Sequence, residues 1–93
     1  MKNTFSVSLC KNGLIGGWIV IEENAMTYKT GKVTIPAKYR NLVMAYKDIF
    51  SVTEGCFLFL PTIMVKMKNE EEYKFVVFNR KKFLDILNDR RNK

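Results

Sequence analysis

The sequence predicts a mostly-β protein in which a curved antiparallel sheet of about seven short strands is closed by one C-terminal α-helix. Turn residues recur roughly every 6–12 positions along most of the chain, and the apolar residues between them alternate with polar ones, as strands require. Only after Asn79 does the spacing of apolar residues become helical. A single amphipathic helix needs an apolar surface to cover, and the end of a curved sheet offers one.

The length and the charge of the chain restrict what it can be. Its 93 residues suffice for one core, so we expect a single domain over residues 1–93. With 47% hydrophobic residues, 13% aromatic residues and two prolines, the chain should pack rather than stay disordered. Lys and Arg number 16 against 9 Asp and Glu, a net charge of +7. This excess favours anionic partners, although it also serves solubility.

Several classes of site are not expected. Histidine is absent, and Cys10 and Cys56 lie far apart without metal-ligand spacing, so neither a disulfide framework nor a metal site is predicted. The acidic residues have no nucleophile near them in sequence, so we predict no enzyme and no cofactor. No apolar stretch approaches the ~18 residues of a membrane span, and the first residues lack a signal-peptide core. We therefore expect a soluble, cytoplasmic protein.

The first strand is predicted over residues 4–9, where Phe5, Val7 and Leu9 alternate with Thr and Ser. Asn12-Gly13 and Gly16-Gly17 together predict a turn, because glycine tolerates a positive φ. A second, buried strand is predicted over residues 18–21. The acidic turn after it should lead into an antiparallel strand over Ala25–Lys29.

The middle of the chain is predicted to contain short strands and one ambiguous segment. A break at residues 30–32 precedes a strand over residues 33–35, which Pro36 ends. Residues 37–41 are predicted to form a loop or a single helical turn. Residues 42–53 are predicted to form two strands that join at a bend near Asp48, and Glu54-Gly55 predicts the next turn.

The last part of the chain has the clearest pattern. Residues 56–60 are apolar, residues 63–68 alternate, and residues 69–71 predict a hairpin turn. Residues 73–78 are predicted to form a strand buried on both faces. Asn79 is then placed to cap a helix through its side chain, with an apolar face made of Phe83, Leu84, Ile86 and Leu87.

Four stretches resemble a bacterial GRAM/pleckstrin-homology-like (PH-like) domain. They are GWIVI with AMTY at residues 17–28, YKDI with SV at residues 46–52, LPTIMV at residues 60–65, and YKF running into NRKKF at residues 73–83. Phe83 stands where that family often has Trp, and residues 33–41 resemble a lengthened loop. The resemblance implies a strongly bent, seven-stranded antiparallel barrel with a helix at one end. Its other end would be open, with variable loops that in such folds bind phosphoinositides or peptides.

A basic segment is the candidate binding site. Five cations, including Lys47, fall between Glu23 and Asp48 with no acidic residue among them. Brought together on loops, such side chains bind phosphate through several charge-assisted hydrogen bonds. We predict an anion or lipid site formed by Lys29, Lys32, Lys38 and Arg40. A solvated basic edge is the alternative, and the first hairpin, where phosphoinositide-binding relatives place a basic pair, has Lys11 alone.

These observations predict a non-enzymatic binding or scaffold module that recognises a protein or an anionic membrane surface. An alternative function is DNA binding, because GKVTIPAKYR at residues 31–40 resembles the core motif of AbrB-type swapped-hairpin regulators. In that family a basic residue and a short helix after the Pro contact DNA.

A second basic group begins the predicted helix. Arg80, Lys81 and Lys82 occupy its first turn, where the helix dipole disfavours cations by a few tenths of a kcal/mol each. An anion docked there would be held by backbone N–H groups and by these side chains. The alternative is a basic edge that water screens.

Overall fold

The computed structural model describes residues 3–11, 13–32 and 34–92. Seven strands form one antiparallel sheet in the order β4-β3-β2-β1-β7-β6-β5, and a C-terminal helix, α2, packs against it. The predicted mostly-β fold, a bent sheet of seven strands with one closing helix, is confirmed. The elements are β1 Asn3–Cys10, β2 Leu14–Ile21, β3 Ala25–Lys29, α1 Ala37–Arg40, β4 Asn41–Ala45, a 3₁₀ turn Tyr46–Asp48, β5 Ile49–Phe57, β6 Leu60–Met67, β7 Glu72–Val77 and α2 Arg80–Arg91.

The sheet bends at β1, the strand that joins its two halves. β1 pairs with β2 along its whole length, from Asn3 opposite Ile21 to Cys10 opposite Leu14. Its pairing with β7 covers only the second half of the strand, from Val7 to Leu9. The first half of β1 is therefore not paired with β7, and the two strands diverge there. The two halves of the sheet enclose the core between them. β4 and β5 are its edges.

The core consists of the inward side chains of alternate strand positions together with one face of α2. Phe83 and Leu87 are fully buried, and Leu84 and Ile86 pack partly against the core, as the helical spacing predicts. The Phe83 ring meets Phe5 edge to face, with 5.3 Å between the ring centroids. The helix thus closes the end of the sheet at which β1 begins.

The predicted turn at Gly16-Gly17 is wrong. Both glycines lie inside β2, where Gly16 is opposite Ser8 and Gly17 is opposite Val7. Of the other predicted turn residues, Gly13 has a φ of +116°, while Asn12 lies outside the described residues. Gly17 is required for another reason, since a Cβ there would lie 2.2 Å from the carbonyl oxygen of Lys29.

The predicted strand at residues 33–35 is also wrong where the structure describes it. Thr34 lies in a turn and Ile35 in a bend, while Val33 lies outside the described residues. β3 already pairs directly with β4, from Lys29 opposite Asn41 to Ala25 opposite Ala45, so the segment that connects them cannot form a strand between them. Residues 37–41 were predicted to form a loop or a single helical turn, and the structure has the helical turn, α1.

Two further predictions fail near the last hairpins. Glu54-Gly55 is not a turn but part of β5, and the chain reverses at residues 58–59 instead. Asn79 occupies the N-cap position of α2, but its side chain makes no capping hydrogen bond. The last predicted strand is buried on both faces at residues 75–77 only, because Phe78 is exposed.

Candidate functional site

Three loops meet at the end of the sheet opposite α2, and we call this surface the open end. They are the β1–β2 loop at residues 11–13, the β3–β4 connection at residues 30–40 and the β6–β7 turn at residues 68–71. Antiparallel pairing sends all three connections to the same side, because β1, β3 and β6 end where β2, β4 and β7 begin.

Tyr39, on α1, lies at the open end. Its ring contacts a side chain of the β1–β2 loop, one of its own connection, and one of β7 next to the β6–β7 turn. The Lys11 ammonium lies 4.9 Å from its ring centroid, and the Lys38 ammonium lies 5.6 Å from it. The Tyr73 ring approaches edge to face, with 6.4 Å between the centroids. Cations at such distances are attracted to the face of an aromatic ring, so Tyr39 holds two lysines close together without a carboxylate.

Lys38 also forms an ion pair that links α1 to the β6–β7 turn. Its ammonium donates a hydrogen bond to the carboxylate of Glu71, which raises the pKa of Lys38 and lowers the pKa of Glu71. The Asn69 amide orients that carboxylate, donating to it over 2.9 Å and accepting from the Glu71 N–H over 3.0 Å. An anion approaching Lys38 must therefore compete with Glu71.

A groove of about 450 Å³ separates the β1–β2 loop from the β3–β4 connection. Lys11 and Lys32 are its two cations. The Thr30 hydroxyl ties the start of the β3–β4 connection to β2. It accepts a hydrogen bond from the Lys32 N–H over 3.2 Å and donates one to the Gly16 carbonyl over 2.7 Å. The other lining residues are Gly13, Leu14, Ile15, Thr34, Ile35, Pro36 and Tyr39. The site therefore combines two ammonium groups with a largely apolar floor.

The structure brings some of the predicted site residues together and separates others. Lys32 lines the groove and Lys38 lies beside Tyr39. Lys29 is exposed at the end of β3, opposite Trp18 on one side and Asn41 on the other. Arg40 is exposed at the end of α1, and its carbonyl accepts from the Thr30 N–H over 3.4 Å. Neither of these two residues lines the groove.

Sequence reasoning missed Tyr39 and undervalued Lys11. Nothing local in the sequence marks Tyr39, because its role depends on how α1 packs beside β1 and β7. Lys11 carried a usable signal, since it directly precedes Asn12-Gly13 in the sequence, a pair that predicts a hairpin turn. Its pairing with a ring 28 positions later (39 − 11) could not be derived from spacing.

A larger cleft, of about 840 Å³, lies between the β2–β3 turn, the start of the 3₁₀ turn and the end of α2, and its lining includes Lys47, Arg90, Arg91 and Glu23. Arginines at the end of α2 complement its dipole, which gives them a structural role. Here the Tyr46 hydroxyl donates to the Glu22 carbonyl over 2.5 Å, and burial raises the pKa of Tyr46 to about 12. Lys47 thus lines this cleft and not the open-end groove.

Within residues 3–11, 13–32 and 34–92, no group of three or more potential metal ligands comes together. None of the helices in that part of the chain is long and apolar enough to cross a membrane.

The chain was also compared with known proteins. No family model matches it, and no curated protein matches it. Among solved structures it is similar to the C-terminal domain of an unknown protein from Leishmania infantum, with a TM-score of 0.81 and 13% sequence identity. The match covers 98% of this chain and 83% of that one. At this identity the similarity concerns the fold alone.

Proposed function

We propose that the chain is a non-enzymatic binding module of the GRAM/PH-like type whose open end binds an anionic, phosphate-bearing group. The observation on which this depends is the groove in which Lys11 and Lys32 stand over an apolar floor beside Tyr39. The ammonium groups would donate charge-assisted hydrogen bonds to phosphate oxygens, and the apolar lining would pack against the molecule that bears the phosphate.

Lys38 supplies a third cation once it leaves Glu71. Its ammonium lies 5.6 Å from the centroid of the Tyr39 ring, and its only described ion partner is the Glu71 carboxylate, which is 39% exposed. Exposed ion pairs contribute at most about 1 kcal/mol, so a phosphate can displace Glu71 at small cost. Glu71 therefore acts as a built-in competitor for the ligand.

The experiment is an NMR titration of the labelled protein with two soluble probes, inositol trisphosphate and a phosphoserine peptide. These probes separate a lipid headgroup from a phosphorylated protein as the source of the phosphate. We expect chemical-shift changes at Lys11, Lys32 and Tyr39. The Lys11→Ser, Lys32→Ser double variant should bind at least about 30-fold more weakly, since each lost charge-assisted contact removes at least about 1 kcal/mol and two remove about 2 kcal/mol or more.

Two variants make the test specific. Glu71→Gln removes the competing carboxylate and should strengthen binding of the probes by about threefold. This gain corresponds to about 0.6 kcal/mol, because the carboxylate no longer repels the phosphate or competes for Lys38. Lys47→Ser removes an equal charge from an exposed residue that does not line the groove, and it should change little. Shifts that avoid the groove with both probes, or an equal loss in Lys47→Ser, would refute the proposal.

The alternative function, DNA binding through residues 31–40, makes a different prediction. α1 follows Pro36 and presents Lys38 and Arg40, but the segment joins β3 to β4 in a seven-stranded sheet rather than forming a swapped hairpin. Duplex DNA would have to bind through Arg40 and Lys38, and its affinity should fall steeply as the salt concentration rises. Replacing Arg40 by Ser should then weaken DNA binding while leaving binding of the phosphate probes intact.

A further inference from the structure

The β5–β6 hairpin ends in three exposed apolar side chains. Phe57, Leu58 and Phe59 are 42%, 80% and 99% exposed. Phe78 is 67% exposed and directly follows β7, whose pairing with β6 ends at Val76 opposite Thr62, so Phe78 lies toward the Leu60 end of β6. We call residues 57–59 with Phe78 the apolar tip. Single exposed apolar residues are ordinary on proteins, but a contiguous group of this kind marks an interaction surface.

The apolar tip is held out from the core rather than folded onto it. β5 and β6 stay paired up to Phe57 opposite Leu60. At the base of the hairpin, the Arg80 guanidinium donates to the Gly55 carbonyl over 2.7 Å and lies 3.3 Å from the Glu54 carboxylate. The turn therefore presents its side chains in a fixed position.

The backbone conformation at residue 58 is unfavourable for a leucine. Its φ is +57°, in the left-handed region where Gly and Asn are favoured and a leucine is uncommon. Asn or Gly would make the same reversal with less strain and less exposed apolar surface. The turn itself gives no reason for an apolar residue here, which indicates that the side chain serves something outside the fold.

Cations surround the apolar tip. The Lys74 ammonium lies 5.7 Å from the centroid of the Phe57 ring. Phe78 lines one groove with Lys81 and another with Lys82. Lys81 pairs with Asp85 over 3.6 Å. Lys74 and Lys82 have no ion partner among the residues that the structure describes, so the surface around the tip complements a negative one.

We propose that the apolar tip inserts into the interface of an anionic lipid bilayer. A projecting hairpin needs a matching cavity on a protein partner, whereas a bilayer interface accepts any apolar protrusion with cations at its base. Aromatic and leucine side chains enter the acyl boundary, and the lysines remain at the level of the headgroups. This surface is separate from the open-end groove, so the inference goes beyond the proposed function.

The test measures binding to vesicles of phosphatidylcholine with and without about 30% phosphatidylserine, a fraction that gives a negative surface potential. The full chain should bind the anionic vesicles, and affinity should fall as salt rises. Phe59→Ser and Leu58→Asn should each weaken binding by about tenfold, from the lost burial of one large side chain. Asn suits the positive φ at residue 58, so this variant should keep the turn.

Phe50→Ser is the matched control. Phe50 is 66% exposed, is also an aromatic residue of β5, and lies at the opposite end of that strand. Its replacement should change vesicle binding less than twofold. Insertion is measured with two variants, Phe59→Trp and Phe50→Trp, in vesicles that contain brominated lipids. These lipids should quench the fluorescence of the tryptophan introduced at residue 59 and should not quench that of the tryptophan introduced at residue 50.

Three outcomes would overturn the inference. One is equal loss of binding in Phe59→Ser and Phe50→Ser. Another is a loss in Lys32→Ser as large as in Phe59→Ser, which would make the open-end groove the membrane site. The third is concentration-dependent self-association that Phe59→Ser abolishes, with no vesicle binding, which would assign the tip to a second copy of the chain.

Discussion

Gly16 and Gly17 are neighbours in β2, but only one of them has room for a side chain. A Cβ at Gly17 would lie 2.2 Å from the Lys29 carbonyl oxygen and 3.0 Å from the Tyr28 ring, whereas a Cβ at Gly16 would meet nothing within 4 Å. The backbone contact cannot be relieved by rotating a side chain. β2 and β3 approach each other closely here because residue 17 is glycine.

Gly17→Ala should therefore lower the free energy of unfolding by about 1–3 kcal/mol, the usual cost of overpacking. Gly16→Ala is the matched control, and it should leave stability unchanged or slightly higher, because alanine restricts the unfolded chain. Urea unfolding of both variants measures this difference. Equal stability of the two variants would mean that the close approach of the Lys29 carbonyl is absent in solution.

At the scale of single residues, the sequence marks that a glycine matters but not why. Gly16 and Gly17 look alike in the printed chain, and a turn is the commonest reason for such a pair. The true reason is a carbonyl 12 positions away (29 − 17), which becomes a neighbour only when β2 and β3 pair. The same holds for Lys38, whose partner Glu71 lies 33 positions further along the chain.

Among the elements, α2 has the clearest energetic role, since it closes one end of the sheet through two buried side chains. Phe83→Ala should cost about 3–5 kcal/mol, because it leaves a cavity where the ring meets Phe5. Phe78→Ala, two residues before the helix, should change stability by less than about 0.5 kcal/mol, since that ring is exposed. Thermal and urea unfolding compare the two.

A shift of only a degree or two in the melting temperature of Phe83→Ala would show that the helix does not seal the core. A small domain has little more stability in total than this cavity costs. The variant should therefore be close to unfolded at physiological temperature, while Phe78→Ala should behave like the original chain.

Elements with one face in the core could be predicted, and elements defined by contacts between distant segments could not. The alternation in β1 follows directly from burial on one side, and β1 and β3 were predicted closely, whereas β6 begins at Leu60 and runs through Pro61, before the predicted alternation at residues 63–68. β5 continues through Glu54-Gly55 because pairing with Ile63 and Thr62 overrides a weak local turn preference. The candidate site was predicted in part for the same reason, since Lys32 lies on a local loop and Tyr39 depends on the packing of α1.

At the scale of the whole molecule, buried tyrosines determine the response to alkali. Burial raises the pKa of Tyr28, Tyr46 and Tyr73, that of Tyr46 to about 12. In the unfolded chain a tyrosine titrates near pH 10, so the folded state favours the protonated phenol. This contribution is complete below about pH 10 and is lost as the pH rises toward about 12.

The free energy of unfolding should accordingly fall between about pH 10 and about pH 12, beyond the change expected for a chain of exposed phenols. Tyr46→Phe should flatten this fall, because a phenylalanine cannot ionise in either state. Urea unfolding at several alkaline pH values measures the slope. The same slope in Tyr46→Phe and in the original chain would show that the Tyr46 phenol is accessible to water and titrates normally.

β6 connects the two surfaces for which a ligand is proposed. It runs from Leu60, beside the apolar tip, to Met67, beside the β6–β7 turn of the open end. Its eight residues span about 25 Å at roughly 3.3 Å per residue. If the tip is inserted in a bilayer as proposed, the length of β6 separates the open end from the inserted side chains. The open end then lies above the lipid headgroups. Phosphates of the same leaflet are then out of reach, so the groove would collect its ligand from the aqueous side or from an opposing membrane, and the protein would hold two objects at a fixed separation.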